Sequence, residues 1–288
     1  MHQPSSYVLT LSCPDRTGIV AAVTGFLARH HANLVDATHF NDEQTRMSFV
    51  RAVFHDDGSG MAPVDTLAGR FEPIAAQFQM RWEIHPQNQP CRTLIAVSKS
   101  SHCLLGLLHR WRVGGLPIDV VGIVSNHTSL KEHADFYRVP FFHLPLDAGN
   151  AESQERRLLE IFHERDAELL VLARYMRVLG AELCETLRGR CINIHHSFLP
   201  GFKGARPYHQ AFDRGVKLIG ATAHFVTENL DEGPIIEQAV ERVDHTFDPP
   251  RLADLGRDLE TVVLNRAVKW FAEHRVFENG HKTVVLKS

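Results

Sequence analysis

The polar, proline-flanked stretch His85-Pro-Gln-Asn-Gln-Pro90 constrains the fold of this chain more than any other feature, because the sequence on either side carries a complete but different pattern. Before it, strand and helix periodicities come in the order βαββαβ. After it, short apolar runs alternate with helical spacing. The 288 residues therefore read as two modest domains, the usual outcome for this length.

In the first segment, Tyr7–Ser12 alternates like a strand and Cys13–Gly18 reads as a turn, with Asp15 or Thr17 available to cap the helix that follows. Ile19, Val20, Val23, Phe26 and Leu27 fall on one helical face, which ends at His30–Asn33. Leu34–Phe40 and Thr45–His55 are expected as strands joined by a turn at Asn41–Glu43, followed by a helix over Val64–Phe78 and a last strand over Met80–His85. This order is the split βαβ arrangement of ferredoxin-like domains.

In the second segment, strands are expected at Arg92–Val97, Ile118–Ser125, Phe141–Leu144, Leu169–Ala173, Cys191–Ile194 and Ile219–Val226. Helices are expected at Leu104–Arg112 and Glu152–Glu164, with a closing helix over Arg251–Ala267. Strands alternating with helices imply a Rossmann-like α/β domain with a mostly parallel sheet and a cleft at the strand carboxyl ends.

The chemistry concentrates near Cys191–Ile194. Side chains two apart share one side of a strand, so Asn193 and His195 leave the strand end together, with Ile192 and Ile194 on the other side. The strand at Ile219–Val226 then delivers a loop carrying Glu228, Asp231 and Glu232, which Gly233-Pro234 forces to turn. An amide and an imidazolium can both donate to a carbonyl oxygen as it becomes an oxyanion, and a carboxylate can orient the imidazole or take a proton from water. Such a set suits acyl or formyl chemistry without a metal. A strand-end Asn and His that merely satisfy backbone groups are the plainer reading of the same pattern.

Asn193-Ile194-His195 with Ser197–Pro200, then His224-Phe225-Val226 with Leu230–Ile236, resembles the folate-dependent formyltransferase family over about the last two thirds of the chain. Within it, His195–Pro200 and Gly204–His209 resemble the deformylase branch, since the transferases usually carry Pro where His196 stands. The resemblance implies Asn193, His195 and Asp231 as the catalytic set, and Met176, Arg177, Val178 and Leu179 as the lining of a pterin pocket. It implies hydrolysis of 10-formyltetrahydrofolate to formate and tetrahydrofolate, supplying formate for purine biosynthesis, with the folate as substrate and no separate cofactor. The alternative is formyl transfer to an amine such as glycinamide ribonucleotide. Ser98–Cys103 argues for water as acceptor, because it lacks the glycines that let a backbone approach a phosphate, although Lys99 remains available. Roles for Arg206, Tyr208 and His209, whether in the cleft or in stabilising it, stay open.

Asp15–Val20 before the first helix and Asn33–Asp36 after it resemble ACT-type domains. That resemblance implies an amino-acid effector or a homo-oligomer contact, with a plain packing domain as the alternative. The expected organisation is thus an ACT-type regulatory or oligomerisation domain over 1–85, a linker over 86–91 and a formyltransferase-type catalytic domain over 92–288.

Composition excludes several other classes. With 31 Lys and Arg against 34 Asp and Glu, a net charge of −3 gives no reason to expect a nucleic-acid partner. No apolar run approaches the ~20 residues that span a bilayer, and Met1–Tyr7 does not read as a leader, so a cytoplasmic enzyme with no membrane contact is expected. Cys13, Cys91, Cys103, Cys184 and Cys191 form no C-x-x-C pair and are expected as reduced thiols. No metal is expected: H-E-x-x-H is absent, and the adjacent pairs His30-His31 and His195-His196 would point to opposite faces of a strand.

Overall fold

The computed structural model describes residues 6–145, 151–201 and 207–287. Its contacts divide into two units, the first holding residues 1–89 with 273–279 and 283–288, the second holding 90–272 with 280–282.

In the first unit, β1 (Ser6–Pro14), α1 (Ile19–Arg29), β2 (Ala32–Asp42), β3 (Met47–Asp56), α2 (Val64–Phe78) and β4 (Arg81–Pro86) follow the expected order. The four strands form an antiparallel sheet in the order β2-β3-β1-β4. Leu9, Leu11 and Cys13 on β1 and Val50, Ala52 and Phe54 on β3 pack against Val23, Phe26 and Leu27 of α1 and Leu67 and Phe71 of α2. Alternation thus sends one face of the sheet to the helices.

Two local expectations are corrected here. Neither Asp15 nor Thr17 caps α1: Gly18 takes the N-cap position at φ 97, with no side-chain cap bond among the described residues. Glycine reaches that left-handed turn without a Cβ penalty, so the chain enters the helix without a polar cap. The hairpin turn lies at residues 43–46 rather than at Asn41–Glu43, because the Asp42 carboxylate accepts the amides of Gln44 and Thr45 at 2.9 and 3.3 Å and carries β2 to Asp42.

The second unit runs β5 (Cys91–Val97), α3 (His102–Arg112), β6 (Ile118–Ser125), α4 (Lys131–Tyr137), β7 (Phe141–His143), α5 (Ala151–Glu164), β8 (Leu169–Leu172), α6 (Ala181–Thr186), β9 (Cys191–His195), α7 (Pro207–Asp213), β10 (Leu218–Phe225), β11 (Ile235–Arg242) and α8 (Pro249–Ala272). The sheet order is β11-β10-β9-β8-β5-β6-β7. The strands from β9 to β7 are parallel, and β10 and β11 each run antiparallel to the preceding neighbour. Leu94–Val97 and Leu169–Leu172 are buried throughout, the continuous apolar signature of central strands covered on both faces. The chain crosses between β5 and β8, where the order reverses, and the crevice at such a point is where open α/β sheets bind ligands.

The last strands, β12 (Val276–Asn279) and β13 (Lys282–Val285), form a two-stranded sheet. Residues 273–279 group with the first unit rather than with the catalytic segment in which the sequence reading placed them. The reason is the second face of β3. Phe49 is buried against Phe277 with ring centroids 5.7 Å apart, and Arg51, 3 % exposed, donates to the Glu273 carbonyl at 3.1 Å and to Asp36 at 3.2 Å. Asn279 donates to Asp42 at 2.7 Å. An arginine buried there requires these acceptors.

Candidate active site

Strand β9 ends at His195, so Asn193 and His195 emerge from it together as alternation requires. Antiparallel pairing sets His224 of β10 opposite Asn193. The loop from Val226 to Pro234 then folds back, with the Phe225 amide donating to the Pro234 carbonyl at 2.9 Å. Gly233 permits this approach, since a Cβ there would overlap the Phe225 carbonyl. Asp231 sits on this loop at φ 57, a conformation Asp tolerates better than most residues.

Asp231 Oδ1 lies 3.1 Å from His195 Nδ1 and 3.7 Å from His224 Nε2. Of the three loop carboxylates singled out in sequence, Asp231 is the one brought to His195, while Glu228 and Glu232 are exposed. Burial alone would raise the Asp231 carboxyl, but the hydrogen bond from His195 outweighs it and holds the group well below the usual carboxylate range. Asp231 is therefore ionised at neutral pH, and His195 Nδ1 is the donor. The opposite ring atom, His195 Nε2, is buried with no hydrogen-bond partner among the described residues. Buried polar atoms are normally paired, so this one is open to a ligand or water in the cleft.

Asn193 Nδ2 lies 3.2 Å from His224 Nε2, and His224 Nδ1 lies 2.8 Å from the Phe225 carbonyl. A carbonyl can only accept, so Nδ1 carries the proton and Nε2 accepts from the Asn193 amide. His224 thus fixes the direction of the Asn193 side chain. Sequence reasoning quoted His224 without giving it a role; a histidine at the end of the mostly apolar run Leu218–Phe225 was the signal, and the structure pairs it with Asn193.

Asn193, His195 and Asp231 line one cleft of about 250 Å³ together with Met176, Arg177, Val178 and Leu179. Met176 and Val178 are exposed at 60 % and 62 %, while Leu179 is buried. Ser98 anchors this wall: its hydroxyl accepts the Met176 amide at 3.0 Å and donates to Asn126 at 2.8 Å, and its own amide donates to the Arg174 carbonyl at 3.3 Å. The loops after β5, β6 and β8 are thereby tied together, and Lys99 is exposed.

The expectation that His195 and His196 point to opposite faces fails, because β9 ends at His195 and alternation ends with it. Their rings stack, with centroids 4.9 Å and planes 24° apart. Arg206 lies outside the described residues; Tyr208 donates to the buried Glu260 at 2.8 Å, and His209 is exposed. His102, Cys103 and Glu260 offer atoms within 4.8 Å of one another, a spacing that suits a metal. The Arg174 guanidinium, with Nε 3.4 Å from Glu260 Oε2, already balances that carboxylate, and burial pushes the Cys103 thiol far above its ordinary range. The donor set does not suit a cation.

All five cysteines are buried and free, and burial raises Cys91 to about 12. They are thiols rather than nucleophilic thiolates at neutral pH. Among the described residues no helix is long and apolar enough to cross a membrane.

The fold and cleft define a formyl transferase domain behind an ACT domain. Residues 91–268 match the formyl transferase family and residues 7–62 the ACT domain family. Formyltetrahydrofolate deformylase from Corynebacterium sp. (strain P-1) is 48 % identical over 287 residues, covering 100 % of both chains, and that from Bacillus subtilis (strain 168) is 40 % identical over 96 % of this chain and 92 % of its own. The crystal structure of formyltetrahydrofolate deformylase from Burkholderia mallei is 54 % identical with a TM-score of 0.95, covering 99 % of this chain and 100 % of that one. Glycinamide ribonucleotide transformylase 1 from Symbiobacterium toebii is 30 % identical with a TM-score of 0.67, over 70 % of this chain and 97 % of its own. The chain belongs to the formyltetrahydrofolate deformylase family, whose members are hydrolases of folate one-carbon metabolism.

Proposed function

We propose that this chain hydrolyses 10-formyltetrahydrofolate to formate and tetrahydrofolate with Asp231, His195 and Asn193 as the reacting groups. The observation that carries this reading is the orientation of His195: Nδ1 is 3.1 Å from an ionised Asp231, and Nε2 is buried and unpartnered in the cleft. Met176–Leu179 form the wall against which the pterin rests, with the backbone supplying its polar contacts.

Water held by Asp231 attacks the formyl carbon, and its proton passes to the carboxylate. The carbonyl π pair moves onto oxygen, which accepts hydrogen bonds from His195 Nε2–H and the Asn193 amide. When the tetrahedral intermediate collapses, the carbon–N10 bond breaks and the proton taken from water is returned to N10. Collapse gives formic acid and tetrahydrofolate, the acid loses its proton to solvent and leaves as formate, and one water is consumed. His195 donates from both ring nitrogens in this scheme, so it acts as the cation that Asp231 stabilises.

The first unit carries an open hollow of about 590 Å³ bounded by Asp15–Ala21, His39 and Asn41. A small-molecule effector of the amino-acid class seated there, in a cytoplasmic homo-oligomer, fits the ACT assignment of this segment.

The test is to follow formate and tetrahydrofolate together after mixing the purified protein with 10-formyltetrahydrofolate alone. Equal yields without an amine establish the hydrolase. Turnover that appears only with glycinamide ribonucleotide or another amine makes the chain a transferase.

A further inference from the structure

Behind the reacting pair lies a set of polar side chains that the proposed mechanism does not use. Arg174, just after β8, adopts φ 64, a left-handed conformation that favours glycine. A side chain kept in that conformation should be held by what it contacts. Its Nη1 lies 2.6 Å from His196 Nδ1, and its Nε lies 3.4 Å from Glu260 Oε2, close enough for an ion pair but without hydrogen-bond geometry.

Glu260 is 1 % exposed and projects from α8, where Tyr208 donates to it at 2.8 Å and His102 Nε2 lies at 2.8 Å. Gly256, four residues earlier, leaves room for this, because a Cβ there would overlap the Tyr208 hydroxyl. Burial would raise the Glu260 carboxyl, and His102, Arg174 and Tyr208 together keep it lowered. Glu260 is thus a fixed anion at the back of Arg174.

A guanidinium has only donors and does not give up its proton, so His196 Nδ1 must accept. That places the His196 proton on Nε2 and leaves the ring uncharged. The same ring stacks on His195 and lines the cleft shared by Asn193 and Asp231.

We propose that Arg174, anchored by Glu260, is a positioning residue of the hydrolytic site: it holds His196 as a neutral imidazole stacked on His195, so that His195 alone becomes the cation. This rests on the roles given above to His195 and Asp231. Two stacked imidazolium rings repel each other, and the charges around them decide which is protonated. His195 faces the Asp231 carboxylate, whereas His196 faces the Arg174 cation, with Glu260, Tyr208 and His102 behind it. The arrangement assigns the charge to the ring that meets the formyl oxygen.

R174G suits the backbone at φ 64 and removes the guanidinium, and it should be assayed in the full chain beside H196N and the double variant. The expected result for R174G is a fall of roughly 10²-fold in kcat, the scale of a misplaced reacting group, with KM much less affected. The kcat/KM profile should gain a new acid-side ionisation, because His196 can then take a proton. The loss in R174G/H196N should be close to that of the worse single variant, and added guanidinium should restore part of the R174G activity. If kcat of R174G matches wild type, or falls with an unchanged pH profile and adds fully to H196N, the proposal is overturned.

The nitrogen-15 shifts of the His196 ring in the wild-type protein test the tautomer directly, whatever the folding of the variant. A neutral Nε2–H ring at pH 7 is expected, and an imidazolium or Nδ1–H ring contradicts the proposal. Wild-type protein that releases no formate would sink the hydrolytic reading itself. Formate release with R174G undisturbed would sink only the role of Arg174.

Discussion

His195 Nδ1 and Asp231 Oδ1 are 3.1 Å apart, and the carboxylate reaches the ring from a loop that starts on a strand antiparallel to the one carrying the imidazole. The site therefore depends on the β9–β10 pairing as much as on the two side chains. Because the Asp231 carboxyl is held well below its ordinary range, it stays ionised through the pH range in which the enzyme is assayed. Its contribution to stability is present above the unfolded carboxyl value of about 3.9 and is lost only as pH falls through the lower folded value. Asp231 should accordingly contribute no acid limb to the kcat/KM profile between pH 8 and 4, and an Asp231 carboxyl that protonates near pH 4, read from its carbon-13 shift, would contradict this.

In the proposed mechanism N193A removes one donor to the formyl oxygen, and it leaves His224 Nε2 without the amide from which it accepts. The expected loss in kcat is roughly 10²–10³-fold, the scale of one oxyanion donor. H224N should retain more activity, since it only loosens the direction of the Asn193 amide. Steady-state kinetics of both variants check this order, and H224N falling below N193A would reverse the assignment.

G233A places a Cβ against the Phe225 carbonyl and must push the Asp231 loop away from β10. A displacement of about 1 Å at a reacting group can cost about 10²-fold in rate. Kinetics together with a thermal melt test this: kcat/KM should fall far more than the melting temperature suggests. Wild-type turnover in G233A would mean that the loop does not set the position of Asp231.

In the first unit, burial and the nearby His85 and Arg51 lower His274 to about 4, and its ring stacks on His85 at 3.7 Å. The folded state then binds fewer protons than the unfolded state, whose histidine titrates near 6.5. Stability is fully present above pH 6.5 and is lost as pH falls toward 4, by about 2–3 kcal/mol for this residue. H274N removes the titration and tolerates the left-handed backbone at φ 54. Its melting temperature should fall less between pH 7 and pH 4.5 than that of wild type; an identical slope would remove His274 as the cause.

Much of this architecture was legible because the chain punctuates itself. The spacing gave α2 over Val64–Phe78 and β6 over Ile118–Ser125 with their observed bounds, since the apolar pattern carries through Pro73 in the helix and Gly122 in the strand. Helices α4, α6 and α7, of seven, six and seven residues, escaped because two turns show too little of a 3.6-residue repeat. Strand β11 escaped because it follows Gly233-Pro234 and carries charges toward its end. That β12 belongs with the first unit was hidden for a different reason: the need is created by Phe49 and Arg51, some 220 residues away in sequence. At the site, alternation along β9 was enough to pair Asn193 with His195. The partners of Arg174 were not legible, because Glu260 sits at a helical spacing from Gly256 and Leu264 that otherwise reads as an apolar stripe.

The most direct test is D231N, with turnover and binding measured separately. Tetrahydrofolate affinity, followed by fluorescence quenching, should stay close to wild type, while formate release from 10-formyltetrahydrofolate falls by roughly 10²–10⁴-fold, the contribution of a positioned acid or base. Retention of more than about a tenth of wild-type turnover with intact binding would remove Asp231 from the chemistry and contradict the mechanism built on its contact with His195.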